Sequence, residues 1–233
     1  MPSLVLSENM TGFGVSSTLA INAQSKKLAA SNIEIIHLGL GQSPFPVPPS
    51  VIAALREHAD QKEYLPVAGL PSLRATIASH LKATRCVPIL PDNILVGPGS
   101  KELLFLLQLV SASAWLLPAP RWVSYRPQAQ LASNPVVWIP TSQENGWRLE
   151  ADALEQACVK NTAQSRILIL NYPNNPAGTS YTDADLAAIA TVARKHNIII
   201  VADEIYWELS FGEAASSIVR HYPEGTIIST GLS

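Results

Sequence analysis

Two clusters of polar residues follow two apolar runs of the sequence, at positions where strands of a parallel sheet would end. The clusters are Asn171, Asn174 and Asn175 after residues 166–170, and Asp203, Glu204 and Tyr206 after residues 198–202. Ligands bind at the carboxyl edge of an open parallel sheet. Amides, carboxylates and a phenol gathered there can hold a small polar molecule by hydrogen bonds and charge. The sequence therefore predicts a ligand site at this edge.

Asp203 has two interpretations. It ends a buried-looking strand, where a carboxylate rarely occurs without a partner, and this favours ligand binding. Asp is also common as the cap of a following turn, and taken alone the residue fits the cap slightly better. Beside Asn175 and Tyr206, ligand binding becomes the better interpretation. Glu204 is interpreted as support for the loop.

Two further segments could face a ligand. Residues 96–104, VGPGSKELL, end a predicted strand and open a helix at Gly99 and Ser100. Backbone N–H groups in such a turn can bind a phosphate, although an ordinary glycine turn explains the segment equally well. Residues 119–127, APRWVSYRP, place aromatic residues after another strand, which is also common in simple packing.

Composition excludes several classes of protein. The chain has 233 residues, a formal net charge of −2 and 15% charged residues, so it lacks the basic stripe of a nucleic-acid-binding protein. Small-molecule substrates are the better expectation, with no nucleic acid and no membrane as partner. Cys86 and Cys158 are the only cysteines, and they fit a reducing, cytoplasmic location. No signal peptide is visible at the N-terminus. The five histidines are scattered, and no metal site is predicted.

The elements that position the clusters alternate between strand and helix from residue 93 onward. Strands are predicted at NILVG, AWLLP, VVWIP, RILIL, NIIIVA and TIIST, and helices over residues 100–110, 150–158 and 182–196. Continuously apolar strands are typical of a sheet covered on both faces. This predicts an α/β fold with a mainly parallel sheet and crossover helices.

A proline-rich stretch at residues 42–50 predicts an extended connector and a domain transition. We expect residues 1–45 to form an N-terminal arm and part of a smaller domain. We expect residues 46–233 to form the large, ligand-binding domain.

The spacing of Asn175, Asp203 and Tyr206 resembles the cofactor frame of the class I/II aminotransferases, which are fold type I enzymes. NYPNNPAG is similar to the family motif N-P-x-N-P-T-G and differs from it at Tyr172 and Ala177. The resemblance implies the fold type I large domain and pyridoxal 5'-phosphate as cofactor. It also implies transfer of an amino group between an amino acid and a 2-keto acid. A lyase of the same fold and a non-catalytic ligand-binding or regulatory domain remain alternatives.

The resemblance also implies a role for each polar residue at the predicted sheet edge. Asp203 would pair with the pyridine nitrogen, while Asn175 and Tyr206 would donate to the phenolic oxygen. Trp122 would stack on the cofactor ring, with Tyr125 as the reserve candidate for that position.

Other roles concern the phosphate, the substrate and the second subunit. The residues implied at the phosphate are Gly99, Ser100 and Lys101. Ser229 is implied as a further cofactor contact. In LGLGQSPFP, Gly41 would meet the substrate carboxylate together with Asn175. In KEYLPVAGLPSLRATIA, Tyr64 would reach the phosphate of a neighbouring subunit, so the resemblance implies a homodimer.

The lysine that would form the Schiff base with the cofactor is expected immediately after Ser233, beyond the sequence printed here. STGLS resembles the lead-in to it, but Gly231 stands where many relatives have a hydroxyl; Ser229 or Thr230 could compensate. We expect the chain to be incomplete, either interrupted at the modified lysine or truncated. A half-length protein without catalysis is the alternative.

Overall fold

The sheet at the centre of this protein has five strands, each parallel to its neighbours. The structure is a computed structural model that describes residues 5–14, 16–36, 41, 43, 45–210 and 216–232. In chain order the strands are β1 (Ala114–Pro118), β2 (Val136–Ile139), β3 (Arg166–Asn171), β4 (Ile199–Asp203) and β5 (Thr226–Ser229). Their order across the sheet is β2-β1-β3-β4-β5, which confirms the predicted parallel α/β sheet.

Side chains on β1, β3 and β4 alternate between two buried clusters, one on each face of the sheet. The Tyr172 face includes Leu116, Leu168, Leu170, Ile200 and Ala202, together with Tyr172. The Tyr125 face includes Trp115, Leu117, Ile167, Ile169 and Val201, together with Tyr125. Both faces are apolar because both are covered, as the unbroken apolar runs predict.

Seven helices lie among the described residues: α1 (Ser17–Ala30), α2 (Pro49–Glu57), α3 (Pro71–Arg85), α4 (Ser100–Val110), α5 (Tyr125–Leu131), α6 (Ala151–Lys160) and α7 (Asp183–Lys195). Helices α4 and α5 contribute Leu104 and Tyr125 to the Tyr125 face. Helices α6 and α7 contribute Leu154 and Leu186 to the Tyr172 face. The sheet is therefore a middle layer between helices, and the predicted helices are present with small shifts at their ends.

Helix α7 illustrates how the sequence sets these boundaries. Its N-cap is Thr182, whose hydroxyl accepts the N–H of Asp185 at 3.2 Å while the Asp185 carboxylate accepts the N–H of Thr182 at 3.0 Å. This reciprocal cap satisfies two N–H groups that the helix leaves free. Arg194 and Lys195 close the last turn, where positive charge is favourable.

The predicted strand NILVG, residues 93–97, is wrong. The Val96 N–H donates to the Ala68 carbonyl at 3.0 Å, and the segment has no strand assignment. Leu95 is 59% exposed. An apolar run becomes a strand only where a neighbour takes its backbone hydrogen bonds. Within the described ranges, no strand pairs with this segment.

The chain divides into two compact units, one of residues Met1–Met10 with Pro66–Ser233 and one of residues Thr11–Leu65. The first unit contains the sheet, and the second contains α1 and α2. The predicted domain boundary after residue 45 falls inside the second unit and stays a prediction. Among the described residues, every helix is too short or too polar to span a lipid bilayer.

Candidate active site

The ends of β3, β4 and β5 lie side by side, and this brings the polar clusters together. Asn171 is paired in register with Asp203, and Asp203 with Ser229. Asn171 is 7% exposed and Asp203 is 3% exposed. The carboxyl edge of the sheet thus presents an amide, a carboxylate and a hydroxyl on three adjacent strands.

Asp203 has one satisfied and one unsatisfied carboxylate oxygen. The Tyr125 hydroxyl donates to Oδ2. Oδ1 is buried and has no hydrogen-bond partner among the described residues. Burial raises the pKa of Asp203, and the Tyr125 hydroxyl, the Ile205 N–H and the Ser229 hydroxyl oppose that rise. Oδ1 is therefore the open position of this carboxylate.

Tyr125 is held as the donor of that hydrogen bond. It is 2% exposed, and burial followed by the negative charge of Asp203 raises its pKa. The sequence offered Tyr125 as a reserve stacking residue, whereas the structure places its hydroxyl on Asp203. Nothing local in the sequence indicates this contact, because Tyr125 and Asp203 lie on different elements far apart in the chain.

The asparagines of NYPNNPAG build a tight loop after β3. The Asn171 Oδ1 accepts the Asn175 N–H at 2.8 Å, and the Asn174 Oδ1 accepts the Ala177 N–H at 2.9 Å. Side-chain bonds of this kind are the reason why Asn is common in turns. They leave the Asn175 side chain free to reach Tyr206, where its Nδ2 donates to the hydroxyl at 3.2 Å. Asn175 and Tyr206 thus form a polar pair.

Trp122 and the start of α4 lie on the same side of the sheet as Tyr125. The Trp122 ring packs edge-on against Tyr125, with centroids 5.4 Å apart and planes at 78°. The Lys101 Nζ lies 5.7 Å from the Trp122 ring centroid. Helix α4 begins at Ser100 after Gly99, whose φ of 146° favours glycine. The structure therefore brings the start of α4 and Trp122 close to one another.

Three elements of the predicted site are not positioned relative to the sheet. Gly41 and Tyr64 belong to the Thr11–Leu65 unit, where both are exposed. In LGLGQSPFP, residues 38–40, 42 and 44 lie outside the described residues, as does Ser233. The expected lysine lies beyond the sequence. The roles predicted for these residues stay predictions.

Glu204 occupies the opposite face of the sheet from Asp203. Its Oε2 accepts the Arg85 Nε at 2.7 Å, and its Oε1 accepts hydrogen bonds from the Tyr172 hydroxyl at 2.9 Å and from the Ser217 hydroxyl. The side chains of Arg85 and Glu204 are 1% and 0% exposed. Burial raises the pKa of Glu204, and these three partners oppose the rise. The sequence predicted support of the loop but none of these partners.

No metal centre is evident in the described ranges, where no group of three or more His, Cys, Asp or Glu side chains is placed to hold an ion.

Comparison with known proteins identifies the family. The profile described as aminotransferase class I and II matches residues 33–233. The chain belongs to this family. It is 34% identical to an aspartate aminotransferase of Bacillus sp. (strain YM-2), covering 94% of this chain and 57% of that protein. It is 32% identical to an aspartate aminotransferase of Bacillus subtilis (strain 168), covering 98% and 60%.

A solved aminotransferase has the same fold. An aspartate aminotransferase from Thermus thermophilus, determined with maleate, superposes with a TM-score of 0.91 at 30% identity, covering 99% of this chain and 61% of that one. Our chain thus spans about three-fifths of the length of the relatives that it matches. The parallel sheet and its helices are those of the fold type I aminotransferases.

Proposed function

We propose that the complete protein is a pyridoxal-phosphate-dependent aminotransferase, with this chain supplying most of the cofactor-binding domain. The proposed reaction moves an amino group between an amino acid and a 2-keto acid. The single observation that carries the proposal is the buried Oδ1 of Asp203, which has no hydrogen-bond partner among the residues that the structure describes. A buried carboxylate oxygen without a donor is costly, and a ligand with an N–H group and positive charge removes that cost.

The residues present fit the cofactor. A protonated pyridine nitrogen supplies the N–H and the charge that Oδ1 of Asp203 lacks. The pair formed by Asn175 and Tyr206 can hold a phenolic oxygen, and the Trp122 ring offers a flat surface. The start of α4, an 11-residue helix, presents free N–H groups to a phosphate dianion. We assign Gly99, Ser100 and Lys101 to that group.

Pyridoxal phosphate, when bound, supplies an electron-withdrawing ring that stabilises negative charge at the α-carbon of a substrate. Asp203 keeps a proton on the ring nitrogen through its charge, and Tyr125 holds the carboxylate in place. Asn175 and Tyr206 lower the basicity of the phenolic oxygen by hydrogen bonding to it. Trp122 covers one face of the ring and excludes water there.

The remaining assignments complete the proposed site. Gly41 and Asn175 bind the substrate carboxylate, and Ser229 makes a further cofactor contact. The partner subunit's Tyr64 reaches the phosphate, so we propose a homodimer. The lysine that bonds the cofactor and moves the proton is the residue expected just after Ser233. The two free cysteines, Cys86 and Cys158, agree with the cytoplasmic location that we propose.

Aspartate is the amino donor that we propose first, because the relatives named above are aspartate aminotransferases. The test uses the complete protein with added pyridoxal phosphate. We expect a visible absorption band that borohydride fixes covalently, with the mass increase located on one lysine. We also expect aspartate and a 2-keto acid to exchange an amino group.

The outcomes separate the alternatives. Cofactor binding followed by release of ammonia, without amino transfer, would indicate a lyase of the same fold. Absence of cofactor binding by the complete protein would overturn the proposal and leave a regulatory or ligand-binding role. No observation favours either alternative over the aminotransferase.

A further inference from the structure

Three residues at the carboxyl edge of the sheet are each followed by a residue that packs on the Tyr172 face or bonds to Tyr172. Tyr172 follows Asn171, Glu204 follows Asp203, and Trp207 follows Tyr206. Since successive side chains of a strand point to opposite faces, Asp203 points to the Tyr125 face and Glu204 to the Tyr172 face. The neighbours are thus placed to fix the site without touching its ligand.

These neighbours form one cluster around Glu204. The Arg85 guanidinium lies 3.6 Å from the Trp207 ring centroid and donates to the Glu204 carboxylate. The Tyr172 hydroxyl donates to Glu204 and accepts the Ile218 N–H, both at 2.9 Å. Each oxygen of Glu204 has a partner. The cluster therefore joins the end of α3, the loop after β3 and the loop after β4.

A ligand held at two ends needs those ends at a fixed separation. Asp203 ends β4, Tyr206 lies in the loop after it, and Asn175 lies in the loop after β3, so the cluster joins the segments that carry all three. Binding sites tolerate displacements of only about 0.5 Å. A buried ion pair contributes little net stability but leaves a costly bare charge when broken, so the cluster favours one arrangement of the two loops.

We propose that Arg85, Tyr172 and Glu204 form a positioning unit that sets the geometry between Asp203 and the Asn175–Tyr206 pair, and so controls cofactor affinity and the electrostatics of the phenolic oxygen. The inference rests on the proposed function and deepens it. None of the three residues touches the reacting atoms. Tyr172, which departs from the family motif, acts through Glu204.

The test is Tyr172→Phe in the complete protein, because this variant keeps the ring and removes only the hydroxyl. We expect the affinity of the apoprotein for pyridoxal phosphate to fall about tenfold, the scale of one lost hydrogen bond to a charged group. We also expect the pH midpoint of the visible cofactor band to rise by about one pH unit. Weaker donors to the phenolic oxygen leave it more basic, so the proton it shares is lost at higher pH.

Tyr181→Phe is the matched control. Tyr181 packs edge-on against Tyr172 with ring centroids 5.5 Å apart, and its hydroxyl accepts the Leu149 N–H at 2.9 Å. Glu204 is not among its partners in the described structure. We expect the two Phe variants to lower thermal stability by similar amounts. Only Tyr172→Phe should change the cofactor affinity and the pH midpoint.

The outcomes are distinct. Unchanged affinity and midpoint in Tyr172→Phe, or equal shifts in both Phe variants, would overturn the positioning unit. If Tyr172→Phe does not fold, Ser217→Ala replaces it, because it deletes only the smallest donor to Glu204. We expect Ser217→Ala to change the cofactor affinity and the pH midpoint in the same directions but by less. If neither changes, the inference is overturned. A wild-type protein that binds no pyridoxal phosphate would instead overturn the proposed function.

Discussion

Asp203 and Glu204 are consecutive buried acids that have different hydrogen-bond partners on opposite faces of the sheet. Burial raises the pKa of both, so titration alone does not separate them. Their hydrogen bonds distinguish the two residues. Glu204 has partners on both oxygens, including the Arg85 guanidinium, whereas within the described structure Oδ1 of Asp203 has none.

This difference indicates a structural role for Glu204 and a ligand-binding role for Asp203. A carboxylate that is already paired and hydrogen-bonded by protein groups has no free oxygen with which to bind a small molecule. A buried carboxylate with an unused oxygen is unfavourable in the free protein and becomes favourable only with a donor. Substitutions at the two positions should therefore differ in the property that they affect most.

The largest expected effect is that of Asp203→Asn on amino transfer. An amide cannot hold a proton on the ring nitrogen by charge, so we expect the half-reaction with aspartate to slow about 1000-fold, as when a key electrostatic group is removed. The measurement is single-turnover absorbance on the complete protein. We expect the variant to remain folded. An unchanged rate would contradict the role proposed for Asp203.

Glu204→Gln should act mainly on stability, and on cofactor affinity only as far as the positioning unit is disturbed. It leaves the Arg85 guanidinium buried without its counter-charge, so we expect the free energy of unfolding to fall by about 3 kcal/mol, measured by urea titration. Glu155→Gln is the control, because Glu155 pairs with Lys195 on the surface, where loss of an ion pair should cost much less stability. Equal losses in the two variants would contradict the distinction.

Tyr125→Phe tests the oxygen of Asp203 that is already bonded. The Tyr125 hydroxyl lowers the pKa of Asp203, so its removal makes the carboxylate less ionised at a given pH. We expect pyridoxal phosphate affinity to fall about tenfold, measured by fluorescence titration of the apoprotein. The ring packing on Trp122 is retained. Affinity equal to wild type would show that Asp203 is held without this donor.

The smallest effect is a pH dependence of the apoprotein. Because the folded state raises the pKa of Asp203, the native protein binds this proton more tightly than the unfolded chain does. The stability contributed by Asp203 is therefore greatest at low pH and falls as the pH rises through its folded pKa, by at most about 1.4 kcal/mol per pH unit.

The difference in unfolding free energy between wild type and Asp203→Asn isolates this dependence, since Glu204 titrates in both proteins. We expect Asn to gain stability relative to Asp as the pH rises. A difference that stays constant with pH would show that burial does not control the protonation of Asp203.

The sequence predicts most of the sheet because its strands are long apolar runs with clear ends. It also predicts that Asn175, Asp203 and Tyr206 belong near one another, since parallel strands end at one edge. It fails at NILVG, because a strand needs a partner that no local pattern reveals.

The contacts made by the two acids show the same limit. Arg85 and Glu204, like Tyr125 and Asp203, lie far apart in the chain, and only the folded sheet brings each pair together. Sequence spacing indicates which edge a residue reaches. It does not indicate which of two neighbouring acids receives the arginine and which stays open.

Strand β4 cannot change its length without exchanging these two environments. Deleting one residue from Ile199–Asp203 would turn every later side chain to the other face. The carboxylate of Asp203 would then point toward the Arg85 guanidinium, and that of Glu204 toward the Tyr125 hydroxyl. Insertions and deletions in this strand should therefore be absent from any library of functional variants, even where single substitutions survive.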